Sequence, residues 1–321
     1  MKRFGSALKV VVGTCVLASP IYGYVTSREL SSTNMVVQRK WATGPIPWQM
    51  NPSAGQNISG SREFGQVVQQ SFRTWSSLPT ANIIFAEGSP TTAKHAYDGN
   101  NVVVANLTTA EWAALGLGPG VLAFTAVNSS DGGTVLDRLG RPVAFPGQIA
   151  DADIVFNPSY QFSTDETVPP SRVDFQSVLT HEIGHLLGLD HSPIMSATMF
   201  WAATEGISLP RKLSPDDIAG VSTIYPNALF LSKATLQGTV RTTANAPVFG
   251  AVVIALDGIG QPVASAITDP NGQYSIMGLD SGMYTVYAQP LDGFTDSSDF
   301  HTLQRIYPEG NVSSGFTGRF R

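Results

Sequence analysis

Three of the chain's five histidines fall within the stretch "THEIGHLLGLDHS", which spans residues 180–192. His181 and His185 are four residues apart, so on a helix both imidazoles lie on one face and can reach one ion. Gly188 comes next, and a glycine can leave a helix through a left-handed turn that other residues resist. Such a turn brings His191 round to the same ion, so the spacing predicts a metal site.

The predicted ligand set and the neighbouring Glu182 are suited to catalysis. Three neutral imidazoles leave a zinc ion its full charge and one open position for water, whereas a structural zinc is closed by a fourth ligand. Zinc brings the pKa of bound water to roughly 7. Glu182 can then act as the general base that activates this water and later passes the proton to a leaving amine. The alternatives are a helix with chance histidines and a metal-binding but inactive site.

The same residues match the pattern H-E-x-x-H-x-x-G-x-x-H and so resemble the metzincin zinc proteases. Two features narrow the resemblance to the matrixins, the group of the matrix metalloproteinases. Ser192 follows the third ligand, as in matrixins. Met199 in "SATMF" resembles the matrixin Met-turn, whose methionine lies beneath the zinc as an apolar floor. An ordinary core methionine would also fit this position.

The stretch "RKLSPDDIAGVSTIYP" resembles the last helix of the matrixin catalytic domain. The resemblance implies that Asp217, and with it Asp216, hydrogen-bonds the backbone of the Met-turn. A role confined to the helix start is equally open for both, since acidic side chains favour that end of a helix.

The resemblance also implies a substrate cleft. "GVLAFTAV" is similar to the edge strand against which matrixins hold an extended substrate, so Leu122 and Ala123 are expected to line the cleft through backbone hydrogen bonds. Phe200 and Trp201 stand where matrixins usually have Pro and Tyr. They are expected to shape an apolar pocket with Val178 behind, and the preferred substrate residue stays open.

Other positions depart from the matrixin pattern. Matrixins hold a second, structural zinc with histidines in two neighbouring strands, and Phe124 and Val155 occupy those positions in this chain. One catalytic zinc per chain is therefore expected. His95 is expected to be a surface residue. Calcium is possible but unassigned, and the Asp/Asn/Gly-rich loop 128–137 is a weak candidate for it.

The elements around these residues predict an α+β fold. "SREFGQVVQQSFRTWSSL" has apolar residues on one helical stripe, and a second helix is expected from about Ser171 to Leu189. A third begins at Ser214, a good N-cap, followed by Pro215. Interspersed strands, among them "IPWQM", "NVVVAN" and "DADIVFN", complete a metzincin/zincin-like domain over residues 36–227, with a twisted mixed sheet and three main helices.

The C-terminal part has a different pattern. Five short apolar–polar alternating runs with turn residues between them predict a β-sandwich over residues 233–321. The runs "LQGTV", "DPNGQYSI" and "LDSGMYTVYA" resemble carboxypeptidase regulatory-like domains, which are small transthyretin-like sandwiches. No cluster of catalytic residue types occurs in it, and His301 is expected to be non-functional. We therefore expect an accessory module that is dispensable for chemistry and is suited to surface or matrix attachment.

The composition and the first 23 residues of the chain indicate its class of partner and its cellular location. The chain has 321 residues, a net charge of −5 and no Lys/Arg-rich run, which argues against nucleic acid as a partner. Residues 1–23 combine a basic start with an apolar run too short and interrupted to span a membrane, which predicts a signal peptide and a secreted protein, extracellular or periplasmic. A buried N-terminal strand and an uncleaved anchor are the alternatives for this segment. The only cysteine, Cys15, lies in that run, so neither a disulfide nor a cysteine latency switch is expected in the mature chain.

Two functions from different classes are compatible with these patterns. The first is a secreted zinc-dependent endopeptidase that acts on protein or peptide substrates. The second is a surface or matrix binding protein with an inactive metzincin-like domain. An intact Glu182 favours the first, because an inactive relic has no need of the base.

Overall fold

The structure is a computed structural model that describes residues 8–11, 26–118, 120–131, 143–291 and 319–320. Most of the predicted signal peptide with Cys15, residues 132–137 of the predicted calcium loop, and His301 lie outside these residues. Among the residues with a described structure, no helix is both long and apolar enough to cross a membrane.

Short strands make up most of the regular structure, and a few helices lie between them. The strands are β1 (Leu8–Val11), β2 (Arg28–Leu30), β3 (Val36–Gln38), β4 (Ile46–Met50), β5 (Ile58–Ser59), β6 (Phe85–Glu87), β7 (Val102–Val104), β8 (Ala123–Ser129), β9 (Ile149–Phe156), β10 (Phe162–Ser163), β11 (Val173–Asp174), β12 (Ala234–Thr242), β13 (Val252–Leu256), β14 (Pro262–Ile267), β15 (Gln273–Leu279), β16 (Thr285–Gln289) and β17 (Arg319–Phe320). The helices are α1 (Phe64–Ser76), α2 (Thr109–Ala114), α3 (Phe175–Leu186), α4 (Pro215–Ile224) and α5 (Ala228–Leu231), with a short 3-10 turn at Leu209–Arg211.

The chain forms two compact units. The first, the histidine-helix unit, comprises residues 29–189 and 202–213. The second, the sandwich unit, comprises the described parts of residues 1–28, 190–201 and 214–321. The sandwich unit thus includes segments that the sequence pattern assigns to the protease domain, and the predicted domain boundaries 36–227 and 233–321 stay predictions.

The histidine-helix unit is built on a mixed sheet of five strands in the order β6-β4-β7-β9-β8. All neighbours in it are parallel except β8, which runs antiparallel to β9 at one edge. The expected edge strand is therefore confirmed. Near-continuous apolar runs such as β7 are buried, which is what a mostly parallel sheet requires.

Helices α1 and α3 pack together in this unit. The predicted stripe of α1 is confirmed for Val67, Val68, Phe72 and Trp75, which are buried, while Phe64 at its start is half-buried. Trp75 also donates from its indole Nε1 to the carbonyl oxygen of Thr180, at 2.8 Å. A buried indole N–H needs such a partner, so this bond fixes α1 against the helix that carries the histidines.

Helix α3 begins four residues later than the sequence predicted. Val173 pairs with Phe162 as part of a short parallel ladder instead of joining the helix. Asp174 then acts as the N-cap and accepts a hydrogen bond from the backbone N–H of Ser177, at 2.9 Å. The expected start at Ser171 is therefore wrong, because strand pairing and an acidic cap fix the boundary.

The sandwich unit contains two sheets, in the orders β1-β12-β15 and β14-β13-β16-β17. All five strands predicted for the C-terminal region are confirmed. β1 lies within residues 1–23 and pairs with β12 through its backbone, as the alternative of an N-terminal strand requires, so the signal peptide stays a prediction. The core between the strands consists of small and branched apolar residues, among them Val240, Val253, Ala255, Ile276 and Ala288. Ala219 of α4 belongs to the same core, so α4 is packed against the sandwich strands.

Helix α4 has the predicted start. Ser214 accepts a hydrogen bond from the N–H of Asp217 at 3.2 Å, and Asp217 accepts one from the N–H of Ser214 at 2.7 Å. This reciprocal capping box satisfies two backbone donors that the helix end would otherwise leave unpaired.

Candidate metal and catalytic centre

His181 and His185 lie one turn apart on α3, with their imidazoles directed at the same point. Their Nε2 atoms are 3.0 Å apart and their ring planes meet at 82°. Two imidazole lone pairs at this distance repel each other unless a proton or a cation lies between them. The pair can therefore share either a proton or a metal ion.

The second nitrogen of His185 fixes the ring. Its Nδ1 lies 3.0 Å from the carbonyl oxygen of Leu189, which can only accept, so Nδ1 carries the proton in this contact. Nε2 is then unprotonated, and it presents its lone pair on the side of His181, where a metal can bind. A carbonyl partner of this kind is the usual support of a metal-binding histidine.

The chain leaves α3 at Gly188 as the sequence predicted. Gly188 has a φ of 93°, in the left-handed region, and its N–H bonds the carbonyl oxygen of His185 at 2.9 Å. A side chain at this position would also clash with the backbone carbonyl of Arg39. Gln38 supports the turn, because its side-chain amide donates to the carbonyl oxygen of Gly188 at 3.1 Å.

His191 follows this turn and completes the cluster. One nitrogen from each of His181, His185 and His191 lies within 4.8 Å of the others, which is the spacing of ligands around a single metal ion. Within the described residues this is the one group of three or more His, Cys, Asp or Glu with such geometry. The donor set fits zinc, since three neutral imidazoles without a fourth protein ligand match an open catalytic site.

Glu182 lies on α3 between the first two histidines, and its side chain is held from the edge strand. The residue is only 5% exposed. Thr125 of β8 donates from Oγ1 to the carboxylate Oε2 at 2.6 Å, and the same hydroxyl lies 2.9 Å from the backbone oxygen of Glu182. The sequence patterns did not single out Thr125. Its one signal there is a lone hydroxyl in the otherwise apolar run "VLAFTAV".

Met199 is 2% exposed, and its backbone is anchored by α4. Asp217 accepts hydrogen bonds from the N–H groups of Thr198, at 2.8 Å, and Met199, at 3.0 Å. The expected contact of Asp217 with the backbone at Met199 is therefore confirmed, while the Met-turn role of this segment stays a prediction. Burial raises the pKa of Asp217, while these bonds oppose the shift.

Asp216 does not share that role. Its Oδ2 accepts from the hydroxyl of Ser192 at 2.5 Å, and its Oδ1 accepts from the backbone N–H of Ser265 at 2.6 Å. The expectation that Asp216 also binds the Met-turn backbone is thus wrong, because the carboxylate faces a serine next to the third histidine and a serine of β14. Burial raises its pKa to about 6.

The predicted cleft residues divide between the two units. Leu122, Ala123 and Val178 lie in the histidine-helix unit, where Ala123 opens the edge strand and Val178 is buried on α3. Phe200 and Trp201 lie in the sandwich unit, with ring centroids 5.8 Å apart and Trp201 49% exposed. The apolar pocket expected from all five stays a prediction.

The edge strand corrects one detail of the expected cleft. The carbonyl oxygen of Leu122 already accepts from the N–H of Asn157, at 2.9 Å, inside the sheet. Backbone groups alternate in direction along an antiparallel strand. Ala123, which pairs with Phe156, therefore turns its N–H and C=O towards the open edge, and Leu122 does not offer its carbonyl there.

His95 is not the surface residue that the sequence predicted. Its side chain is 18% exposed, and its Nδ1 lies 3.0 Å from the carboxylate of Asp153, which is 1% exposed. The hydrogen bond with Asp153 raises the pKa of His95. Asp153 also accepts from the N–H of Val102 at 2.8 Å, so the pair ties the loop before β7 to the centre of the sheet.

Phe124 and Val155 lie directly opposite each other in the β8–β9 ladder. They stand at the positions where matrixins carry the histidines of a second zinc site. Neither side chain can bind a metal, so this part of the ladder supplies no ligands from these two positions.

Two family models match this chain. Residues 122–226 match the family described as Matrixin, which covers the edge strand, the histidine helix, the Met-turn segment and α4. Residues 235–301 match the family described as Carboxypeptidase regulatory-like domain.

Several curated proteins are similar to this chain over short stretches. Metalloendoproteinase 5-MMP of Arabidopsis thaliana is 49% identical over 53 residues, which are 16% of this chain and 14% of the relative. Matrilysin of Rattus norvegicus is 36% identical over 89 residues, 28% of this chain and 32% of the relative. Matrix metalloproteinase-19 of Homo sapiens is 40% identical over 84 residues, 25% of this chain and 16% of the relative. The chain thus matches less than two thirds of the length of each of these relatives.

Proposed function

The chain combines a matrixin domain, matched over residues 122–226, with a carboxypeptidase regulatory-like domain, matched over residues 235–301, and on this premise we propose that it is a secreted zinc-dependent endopeptidase. The observation that carries the proposal is the convergence of His181, His185 and His191 on the helix and turn that also hold Glu182. The names of its relatives, metalloendoproteinase and matrix metalloproteinase, support the same class of reaction. Its substrates are then proteins or peptides.

His181, His185 and His191 are the proposed zinc ligands. When bound, zinc supplies a Lewis acid that lowers the pKa of water to roughly 7 and stabilises negative charge on a substrate oxygen. The Leu189 carbonyl holds His185 in the tautomer whose Nε2 is unprotonated and can bind a metal, and Gly188 gives the chain the turn that leads to His191. Met199 is proposed as the apolar floor beneath the ligands.

Glu182 is the proposed general base. It lies on the same helix as His181 and His185, its carboxylate is held by Thr125 of the edge strand, and burial keeps it away from bulk solvent. It takes a proton from the attacking water and gives it to the leaving amine, which balances the hydrolysis of one peptide bond. Thr125 holds the carboxylate while it does so.

The open side of β8 is the proposed seat of the substrate backbone. An extended peptide that adds to this edge can bond the N–H and C=O of Ala123, because both are turned outwards. Backbone pairing of this kind is independent of substrate sequence. Selectivity then falls to side chains, and the proposed candidates are Val178 in the histidine-helix unit and Phe200 and Trp201 in the sandwich unit.

A paired measurement on Glu182→Ala tests this function. We expect the variant to retain zinc, since all three imidazoles remain, and to lose about 10²–10⁴-fold in cleavage of a short peptide. The exposed Glu205→Ala serves as the matched control and should cleave like the parent. Unchanged cleavage by zinc-loaded Glu182→Ala would show that another group is the base.

The parent chain provides the test against the alternative function. If the full chain binds zinc and cleaves no peptide in a broad substrate library, the endopeptidase proposal fails. The chain would then be a surface or matrix binding protein with an inactive metzincin-like domain.

A further inference from the structure

Asp216 is a buried carboxylate that the proposed reaction does not use. It lies in the first turn of α4 and is 5% exposed. Its two oxygens receive three hydrogen bonds, one from the hydroxyl of Ser192 and two from the N–H and hydroxyl of Ser265, at 2.6 and 3.0 Å. One carboxylate thus connects the segment after the third histidine with a strand of the sandwich.

Ser192 is the fixed point of the segment that carries His191. Its N–H donates to the carbonyl oxygen of Met199 at 2.8 Å, and its hydroxyl oxygen accepts from the N–H of Ile194 at 3.1 Å. The hydroxyl proton is directed to Asp216. Since His191 precedes Ser192 directly, the backbone angles held at Ser192 set the direction from which the His191 ring approaches the metal.

Ser265 binds the Asp216 carboxylate from the side of the sandwich strands. It lies on β14, is fully buried, and pairs with Ile254 of the neighbouring strand. Both its N–H and its hydroxyl point to Asp216, so the carboxylate takes its position from the sandwich strands and not from solvent. Ala219, on the same helix as Asp216, is part of the sandwich core and fixes α4 on this side.

Burial of the Asp216 carboxylate lowers the stability of the fold, which argues that this residue has a role beyond filling space in the core. Removal of a carboxylate from water is unfavourable unless its oxygens are fully bonded, and burial raises the pKa of Asp216 to about 6. An apolar residue would pack α4 against β14 without that cost. A charge with donors on both sides instead fixes direction and distance between two separate segments.

We propose that Ser265 and Asp216 are positioning residues for the third metal ligand, so that the C-terminal sandwich is a working part of the metal centre. This inference rests on the proposed function for the identity of the ligands. It replaces the sequence-based expectation that the sandwich is dispensable for chemistry.

The test uses the full chain and measures zinc affinity by competition with a chelator. Ser265→Ala removes one of the bonds to Asp216 and should weaken zinc binding by roughly three- to tenfold, less than the loss of a direct partner of a ligand. The visible spectrum of the Co²⁺-substituted protein should change as well, because it reports the direction of the ligands. Zinc affinity within twofold of the parent together with an unchanged Co²⁺ spectrum would overturn the proposal.

Thr268→Val is the matched control. Thr268 is also buried in the sandwich, but its hydroxyl bonds only sandwich backbone, from which it accepts at Ala251 N–H and to which it donates at the Val248 carbonyl. The control should lower the unfolding temperature and leave zinc affinity within twofold. An equal loss of zinc affinity in both variants would mean that sandwich stability alone matters, and the proposal would fall.

A double-mutant cycle with Ser192→Ala separates positioning from independent effects. If both serines act through Asp216, the double variant should lose little more zinc affinity than the worse single variant. If the fold-losses in zinc affinity of the two single variants multiply in the double variant, the proposal is contradicted. Should Ser265→Ala fail to fold, the same cycle is made with Asp216→Asn, which keeps the size of the side chain but loses one acceptor for the serines and should weaken zinc binding in the same direction.

Peptide cleavage is measured separately on the same proteins. A chain that shows the zinc coupling but cleaves no peptide would refute the endopeptidase function and leave the positioning role intact. A chain that cleaves peptides but shows no effect of Ser265→Ala on zinc binding would refute the positioning role and leave the endopeptidase function intact.

Discussion

The hydroxyl of Thr125 donates to the carboxylate of Glu182 at 2.6 Å, across the space between the edge strand and the histidine helix. Both residues are buried, at 7% and 5% exposure. A bond to a charged oxygen in such a place is worth about 1.5–3 kcal/mol, and it also selects one rotamer of the carboxylate. The strand proposed to hold substrate therefore also orients the proposed base.

Thr125→Val should impair chemistry more than metal binding. The valine keeps the shape of threonine but gives the Glu182 carboxylate no donor. We expect kcat for a short peptide to fall about 10-fold, with KM and zinc content little changed. Thr125→Ser retains the hydroxyl and should stay close to the parent. Parent-like kcat in Thr125→Val would show that other contacts orient Glu182.

The contrast between Glu182 and Thr125 shows what sequence could predict. The histidine spacing, the left-handed turn at Gly188 and the α4 capping box depend on residues close together in the chain, so local rules identify them. Thr125 and Glu182 are 57 residues apart, and only the folded sheet brings them together. The position of a single threonine in a predicted strand does not indicate which distant residue its hydroxyl will contact.

The predictions for the start of α3 and for His95 failed for the same reason. Pro169 and Pro170 precede Ser171, so local patterning predicted a helix start there, but Val173 pairs with a neighbouring strand instead. His95 stands in a polar stretch, and its burial depends on Asp153, 58 residues further along. The link between Asp216 and Ser265 spans 49 residues and joins two parts of the chain that look independent in sequence.

Arg211→Met should destabilise the histidine-helix unit. The Arg211 guanidinium makes two bonds to the carboxylate of Asp174, from Nε at 2.8 Å and from a terminal nitrogen at 2.6 Å. Asp174 is also the N-cap of α3 and is 1% exposed. Loss of the cation leaves a buried charge, at a cost of about 3 kcal/mol or more in the free energy of unfolding.

Urea unfolding of the metal-free chain measures this effect. The exposed Arg73→Met is the control, with an expected change within about 0.5 kcal/mol. Arg211→Lys should fall between the two, because an ammonium keeps the charge but not the paired geometry. Equal stability of Arg211→Met and Arg73→Met would contradict the assigned role.

One zinc per chain is expected after dialysis. His181, His185 and His191 supply one ligand set, and Phe124 and Val155 offer no ligand at the positions where matrixins hold a second ion. Elemental analysis of the parent and of His185→Ala checks the count. The parent should hold about one zinc and the variant close to none; two in the parent would show that other residues bind a second ion.

Because the carboxylate of Asp151 is buried, we expect the stability of the fold to depend on pH. Burial raises its pKa from 3.8 to about 6. Its Oδ2 accepts from the N–H groups of Asp98 and Gly99, while nearby Asp153 disfavours a second negative charge. The folded state therefore holds this proton more tightly than the unfolded state. The contribution of Asp151 to stability is greatest below about pH 4 and falls as pH rises through about 6.

Asp151→Asn should cancel that loss, because an amide stays neutral at every pH. The amide oxygen can take the two N–H donors of Asp98 and Gly99. The variant should gain about 1–3 kcal/mol of stability relative to the parent between pH 4.5 and pH 8, at roughly 1.4 kcal/mol for each pKa unit. Urea unfolding at both pH values, on metal-free protein, measures the difference.

Titrating groups that do not interact with Asp151 cancel in this comparison, because they are present in both proteins. His95 does not cancel fully: the charge of Asp151 contributes to its raised pKa, so Asp151→Asn also lowers the pKa of His95 and the measured difference belongs to the coupled pair. The quantity tested is thus the change with pH and not the absolute stability, which also reflects how well the new NH₂ group is accommodated. A stability difference between Asp151→Asn and the parent that stays constant from pH 4.5 to pH 8 would mean that Asp151 ionises alike in the folded and unfolded states. Its burial would then not govern its protonation.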